Sequence, residues 1–227
     1  MTGTDSTSPY GAAPARAFWK TGVVREGGAG LSIGPYNHET AQNNIIVSNH
    51  GGINNMQDSN SANHHNLVWG NSTDYQNTSP GTGCLSANPL YVSTSNWRLT
   101  SNSPSRYSAS DNSDLGPLPY TTDPTPGLYG TLWAAVHLDT SGSPYTVGGD
   151  ITVPPGVTLT IDPGVELQFA TSDLMGRGTN TSEVELIVEG TLVATGGGAA
   201  ATLRGGHSTA LWNLSYAHGR SDPGTRR

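Results

Sequence analysis

Two neighbouring segments of the chain repeat each other. Residues 42–49 align with residues 64–71, and the alignment matches Asn44 to Asn66 and the apolar pairs that follow. Matched residues lie 22 residues apart. A repeat of this length is one supersecondary unit, which stacks on its neighbours because it cannot bury its apolar face alone. The apolar clusters are short and lie between asparagine and glycine, residues that break helices and favour turns. The repeat therefore predicts a solenoid of short strands.

Strand geometry assigns faces to these apolar clusters. Successive side chains of a strand point to opposite faces. We therefore expect the side chains of four residues to point into the solenoid: Ile45, Val47, Leu67 and Trp69. Asparagines that occupy equivalent turn positions are expected to form a hydrogen-bonded ladder between coils.

The composition fits a turn-rich all-β chain. Hydrophobic residues make up 33% of the sequence and charged residues 12%, whereas there are 30 glycines and 15 prolines. Disordered chains usually combine low hydrophobicity with high charge, but here the charge is low and the apolar residues form strand-like clusters.

A series of short motifs in the first half carries a family resemblance. Their order resembles the last coils of bacterial pectate-lyase-like right-handed β-helix proteins over about residues 22–120. The motifs are His65-Asn-Leu-Val-Trp-Gly-Asn71, Leu85-Ser-Ala-Asn-Pro-Leu-Tyr-Val92, Trp97-Arg-Leu99, Ser103-Pro104 and Asp114-Leu-Gly-Pro117. The resemblance implies an all-β, right-handed parallel β-helix with few or no helices.

The second half has a different pattern. Residues 152–159 and 160–167 each alternate apolar residues around a Pro-Gly turn, which makes an eight-residue repeat. This pattern, with the preceding segment Tyr145-Thr-Val-Gly-Gly-Asp150, resembles the opening coils of such a β-helix. The end of one β-helix followed by the start of another is the order expected for a piece of a longer repetitive protein.

These patterns predict two solenoid segments joined by a linker. The Pro-Gly-rich sequence after residue 120 is typical of a linker. Unpaired strands at the ends of coils invite self-association unless a loop covers them. The predicted organisation is a flexible arm at 1–21, coils at 22–120, a linker at 121–130, a second solenoid at 131–206 and a tail or cap at 207–227.

Charge and cysteine content narrow the possible partners. The net charge is −7 and Lys20 is the only lysine, so a nucleic-acid partner is not expected. Cys84 is the only cysteine, which excludes an internal disulfide. His64 and His65 are adjacent and would face opposite sides of a strand, so they cannot share a metal without a turn. We expect no metal and no cofactor.

No apolar stretch is long enough for a membrane helix, and the N-terminal residues do not form the apolar core of a signal peptide. Membrane insertion is therefore not expected. The family resemblance implies that the parent protein is secreted or lies at the cell surface.

One motif suggests catalysis. The segment Gly30-Leu-Ser32-Ile-Gly34 matches the G-x-S-x-G nucleophile elbow of serine esterases, for which His50 and Asp74 are candidate partners. The segment around His50 also faintly resembles the Gly-His-Gly element of polygalacturonase-like enzymes. However, the adjacent aspartate pair of that family is missing.

Aromatic and amide side chains suggest binding. Glycan-binding faces combine aromatic rings with asparagine or glutamine amides. The candidates are Tyr36, Asn49, Trp69, Asn71 and Tyr75. Two functions remain open: a glycan-binding or structural surface module with polysaccharide as its partner, and a hydrolase or lyase acting on polysaccharide or ester substrates. A third possibility is a fragment without independent function.

Overall fold

The computed structural model describes residues 29–33, 40–56, 62–194 and 202–205. These residues contain no helix, and their strands pair in parallel and stack as β-solenoid coils, about six turns in all. The all-β solenoid prediction is confirmed. The chain divides into two compact units, which comprise residues 1–89, 93–99 and 105–121 in the first and 90–92, 100–104 and 122–227 in the second.

The domain boundaries drawn from the sequence stay predictions. Residues 105–121 group with the first unit, while two short segments before them group with the second. The predicted arm at 1–21 and the predicted tail at 207–227 lie wholly outside the described ranges.

The first unit contains three stacked coils. Its strands are β1 (Ala29–Ile33), β2 (Thr40–Gln42), β3 (Ile45–Val47), β4 (Gly51–Asn55), β5 (Ala62–His64), β6 (Leu67–Trp69) and β7 (Thr73–Gln76). The sheets have the orders β1-β4-β7, β2-β5 and β3-β6. Ile45 pairs with Leu67 and Ala29 with Gly51, at the same spacing as Asn44 and Asn66. The repeat read from the sequence is therefore the length of one coil.

The interior of the first unit corrects the predicted face assignment. Ile46 and Val68 are buried in a cluster with Ile33, Ala41 and Ile53. The prediction placed the neighbours Ile45 and Leu67 inside the coil, on the same face as Val47 and Trp69. All three residues of β3 are buried, because the opposite face of this strand is covered as well. Ile45 lies beside Gly116, where an added Cβ would be 3.1 Å from Ile45 Cδ1.

Left-handed corners repeat with the coils. Asn43 and His65 have φ values of 62° and 50°, and they occupy equivalent positions in consecutive coils. Ser48 and Gly70 form a second such pair, with φ values of 58° and 64°. Glycine adopts this region freely, and asparagine and histidine adopt it more often than most other residues. The corner at His65 brings side chains together that a straight strand would separate.

The second unit also contains three stacked coils. Its strands are β8 (Gly130–Thr131), β9 (Val136–Leu138), β10 (Tyr145–Val147), β11 (Ile151–Val153), β12 (Thr158–Ile161), β13 (Glu166–Phe169), β14 (Leu186–Val188), β15 (Thr191–Ala194) and β16 (Thr202–Gly205). They form sheets of order β10-β13-β16, β14-β11-β8 and β15-β12-β9. Tyr145 pairs with Leu167, so equivalent residues of consecutive coils lie 22 residues apart, as they do in the first unit. The eight-residue pattern is thus one strand and one corner, not one coil.

Glycines at two corners make this compact path possible. Gly156 and Gly164 follow prolines and have φ values of 82° and 85°, which favour glycine. The strands between the corners bury an aliphatic core that includes Val147, Ile151 and Leu159. Ile151 pairs with Leu186, a wider spacing than that between Tyr145 and Leu167, so residues 170–185 form an insertion in this coil.

Candidate functional site

The proposed nucleophile Ser32 lies on β1 with an exposed side chain. The register pairs Ser32 with Asn54, and Asn54 with Gln76 on the next coil. His50 precedes β4 and lies four residues before Asn54, a distance of about 13 Å along an extended strand. The coil therefore places an amide beside Ser32 and keeps His50 beyond hydrogen-bond reach.

Asp74, the third proposed catalytic residue, accepts hydrogen bonds from a neighbouring asparagine. Its Oδ1 accepts from the backbone N–H of Asn71 at 3.1 Å and from Asn71 Nδ2 at 2.8 Å. Asn71 Oδ1 accepts in turn from the backbone N–H of Asn49 at 2.9 Å. These contacts make Asp74 the anchor of an asparagine ladder, so Ser32, His50 and Asp74 are not brought together as a triad.

The two asparagines proposed as glycan ligands belong to the same ladder. Asn49 is buried and donates from Nδ2 to Val47 O at 3.1 Å. Asn71 donates from Nδ2 to Ile46 O in the preceding coil at 3.0 Å. Asn49 Oδ1 is buried and has no donor among the described residues. Both amide groups of Asn71 therefore bind the preceding coil, whereas the Asn49 amide nitrogen is used within its own coil.

The proposed aromatic ligands occupy different environments. Tyr75 is half-buried and packs against the interior cluster of the first unit, and burial raises the pKa of its hydroxyl well above the usual range. It is a core residue. Trp69 is half-buried at the end of β6, where it pairs with Val47 of β3. Tyr36 lies outside the described residues.

A cluster missed by the sequence analysis lies in the loop that follows the coils of the first unit. The guanidinium of Arg106 lies 4.0 Å from the ring centroid of Tyr120 and 5.1 Å from that of Tyr107. Arg106 Nη2 also donates to the Tyr107 hydroxyl at 3.0 Å. We call these three residues the Tyr107 platform. Cation–π contacts of this kind hold the rings in fixed positions.

A single carboxylate fixes the backbone of the Tyr107 platform. Asp114 Oδ1 accepts from the Tyr107 N–H at 3.2 Å, and Oδ2 accepts from the Tyr120 N–H at 2.8 Å. Tyr107 has a φ of 55°, and its side chain remains 53% exposed. Bulky residues rarely adopt this conformation, and such strain is concentrated at functional sites. No periodic motif marks these residues; the available signal was a pair of tyrosines flanking an aspartate in a loop.

The insertion of the second unit is held by buried carboxylates. Asp150 is 1% exposed and accepts from the N–H groups of Glu185 at 2.6 Å and Arg177 at 3.0 Å. Burial raises the pKa of Asp150 to about 7, and the charge of Asp173 acts in the same direction. Such a pKa suits a general acid, but both carboxyl oxygens of Asp150 already bind backbone groups.

Asp173 and Glu185 complete this carboxylate network. Asp173 accepts from the N–H groups of Asp150 at 3.0 Å, Met175 at 2.8 Å and Gly176 at 2.6 Å. Glu185 Oε2 accepts from two further N–H groups, those of Thr179 and Asn180. The carboxylates therefore serve to order the insertion. Among the described residues, no group of three or more His, Cys, Asp or Glu side chains is arranged to hold a metal ion.

Two histidine clusters remain. His137 Nε2 lies 2.8 Å from Asp162 Oδ1 on the outside of the second unit, and this hydrogen bond raises the pKa of His137. In the first unit, His64 Nδ1 and His65 Nδ1 lie 3.0 Å apart, so the two adjacent rings do not diverge as the sequence suggested. The left-handed corner at His65 supplies the turn that a shared site requires.

Comparison with known proteins adds no assignment. A scan against protein-family models, a search of curated proteins and a search of solved structures each found no significant match to the chain. In the part of the chain that the structure describes, no helix is long and apolar enough to span a membrane.

Proposed function

We propose that the chain is a non-catalytic β-solenoid module that binds polysaccharide through the Tyr107 platform. The observation that carries this proposal is the exposed ring of Tyr107 at a φ of 55°, held by Arg106 and Asp114. The order of motifs that resembles pectate-lyase-like β-helices supports placing the solenoid in that group. It also supports a location outside the cell or at its surface.

The chemistry of the Tyr107 platform favours a sugar ring as ligand. Tyrosine rings present a broad apolar face with a polar edge, which suits the C–H faces and hydroxyls of a pyranose. The Asp114 carboxylate binds the backbone N–H groups of both tyrosines in the free protein, so little conformational entropy remains to be lost when a ligand binds. Arg106 supplies hydrogen-bond donors next to both rings.

The alternative function, a hydrolase or lyase, has less support. Retaining and inverting glycosidases need two accessible carboxyl groups on either side of the bond to be cleaved. Asp150 and Asp173 are close together, but they bind the backbone of the insertion. An esterase needs a base next to its serine, and the partner of Ser32 in register is Asn54.

The proposal is tested with a glycan array, followed by calorimetric titration of the oligosaccharide that binds best. Tyr107→Asn removes the ring but tolerates the left-handed backbone, so the fold is expected to persist. We expect the variant to lose binding by about tenfold or more. Leu174→Asn is the control, because Leu174 is 49% exposed in the second unit and unrelated to the Tyr107 platform.

Two results would contradict the proposal. One is equal binding by the parent chain and Tyr107→Asn. The other is turnover of a polysaccharide or ester substrate that Ser32→Ala abolishes, because such turnover would establish the catalytic alternative.

A further inference from the structure

The His64–His65 pair has an unusual geometry for neighbouring residues. The nitrogens His64 Nδ1 and His65 Nδ1 lie 3.0 Å apart, and the ring centroids lie 5.2 Å apart with the ring planes at 89°. Since the centroid separation exceeds the nitrogen separation by nearly twice the centroid-to-nitrogen distance of an imidazole ring, the two Nδ1 atoms face each other along the line between the rings. At this distance, one Nδ1 carries a proton and the other offers its lone pair.

The backbone holds this arrangement. His64 ends β5 and pairs with Gln42 of the preceding coil. His65 occupies the left-handed corner, where its N–H donates to Thr82 O at 2.9 Å and its carbonyl accepts from the Asn43 N–H at 2.8 Å. The ring of His65 lies against Gly83, where an added Cβ would be 2.6 Å from its Cδ2. The position of His65 is therefore fixed on three sides.

We propose that His64 and His65 form a binding site for one monovalent copper ion, which replaces the shared proton between the two Nδ1 atoms. Imidazole nitrogen is a good ligand for copper and binds as the neutral ring. No bond other than the N–H is broken: the Nδ1 proton of one ring transfers through solvent to Nε2 of the same ring, so both rings stay neutral and the metal binds both Nδ1 lone pairs. The site belongs to the first unit and does not depend on the Tyr107 platform.

The geometry favours a two-coordinate ion over zinc. Structural zinc sites need four ligands, and the described residues do not provide a third histidine, cysteine or carboxylate here. A d¹⁰ monovalent copper ion accepts two ligands in line, which is the arrangement of the facing nitrogens. Metal–nitrogen bonds of about 2.0 Å would set the nitrogens about 4 Å apart. The two nitrogens must therefore move apart by about 1 Å when the ion binds. We expect the half-exposed His64 ring to make this movement, because Gly83 restricts the His65 ring.

The test is an anaerobic titration of the full chain with Cu⁺ against a coloured Cu⁺ chelator. His64→Gln and His65→Asn each remove one ligand, and asparagine tolerates the left-handed corner. We expect each variant to lose more than roughly 100-fold in Cu⁺ affinity, since even second-shell changes cost 10–100-fold. His50→Asn is the matched control, because His50 is an exposed histidine outside the pair, and it should bind as the parent chain does.

Two measurements on the unsubstituted chain keep the test independent of variant folding. X-ray absorption should show two nitrogen ligands at about 2.0 Å, and nitrogen NMR should show the Nδ1 signals of two histidines shifting together on Cu⁺ addition. Coordination by three or four ligands would overturn the proposal. Unchanged Cu⁺ affinity in the His64→Gln, His65→Asn double variant would do the same.

Discussion

Asn66 is the residue whose removal tests most directly how the coils are held together. It is fully buried at a coil corner. Its Oδ1 accepts from the backbone N–H and from Nδ2 of Asn44, both at 3.0 Å, and its Nδ2 donates to Ala41 O at 2.9 Å. All three hydrogen bonds connect consecutive coils, so the side chain holds these two coils together.

The expected cost of Asn66→Ala follows from these contacts. Each buried hydrogen bond contributes about 1 kcal/mol net, which gives about 3 kcal/mol for the three. The substitution also leaves the Asn44 N–H without its buried acceptor, and stranding a buried polar group costs about 1–3 kcal/mol. We therefore expect the free energy of unfolding of the first unit to fall by about 4 kcal/mol. Asn54→Ala is the control, with an expected change within about 0.5 kcal/mol because this half-exposed amide binds only the exposed Asn77 among the described residues.

The assay is hydrogen exchange with mass spectrometry over increasing urea, read in peptides covering residues 62–76. This readout isolates the first unit, since two units need not unfold together. If Asn66→Ala lowers the free energy of unfolding by less than about 1.5 kcal/mol, well under the sum of the three hydrogen bonds counted above, the asparagine ladder is not what holds the coils together. A loss equal to that of Asn54→Ala would lead to the same conclusion.

Three further predictions concern a close backbone approach and two titrating groups. Gly52→Ala should lower the urea midpoint by the equivalent of about 2–3 kcal/mol, because the new Cβ would overlap the Asp74 carbonyl; an unchanged midpoint would contradict this. Because the pKa of Asp150 is raised to about 7, the contribution of Asp150 to the stability of the second unit is greatest below pH 4 and falls by up to about 4 kcal/mol towards pH 7. Thermal scans of Asp150→Asn should lack this fall relative to the parent chain. NMR titration should show a raised pKa for His137 that returns towards its usual value in Asp162→Asn, and an unshifted His137 would exclude the pairing.

The coil length of the first unit was predictable because the repeat appears twice with matched residue types. Asn44 and Asn66 occupy equivalent corners, and the register of β3 and β6 follows directly from their spacing. The inward face was not predictable. Strand alternation gives two equally consistent solutions for a three-residue strand, and Ile45 is buried on the other face by residues far along the chain, such as Gly116.

The second unit was harder to interpret because its strongest periodicity belongs to corners. Pro-Gly turns at Gly156 and Gly164 recur after eight residues, whereas a full coil, such as that from Tyr145 to Leu167, contains several strands joined by unlike corners. The insertion at 170–185 hides the coil length further, since it moves Leu186 away in sequence from its partner Ile151.

The candidate site was the least predictable part, and the fold explains why. Side chains on the strands and regular corners of a solenoid are needed to stack coils, as Asn49, Asn71 and Tyr75 show. Groups that serve other chemistry must then come from positions that leave the repeat. The Tyr107 platform lies in a loop beyond the coils, and the His64–His65 pair arises because a corner that carries asparagine in one coil carries histidine in the next. In a chain of this kind, departures from the repeat are therefore better guides to function than matches to a catalytic motif such as that around Ser32.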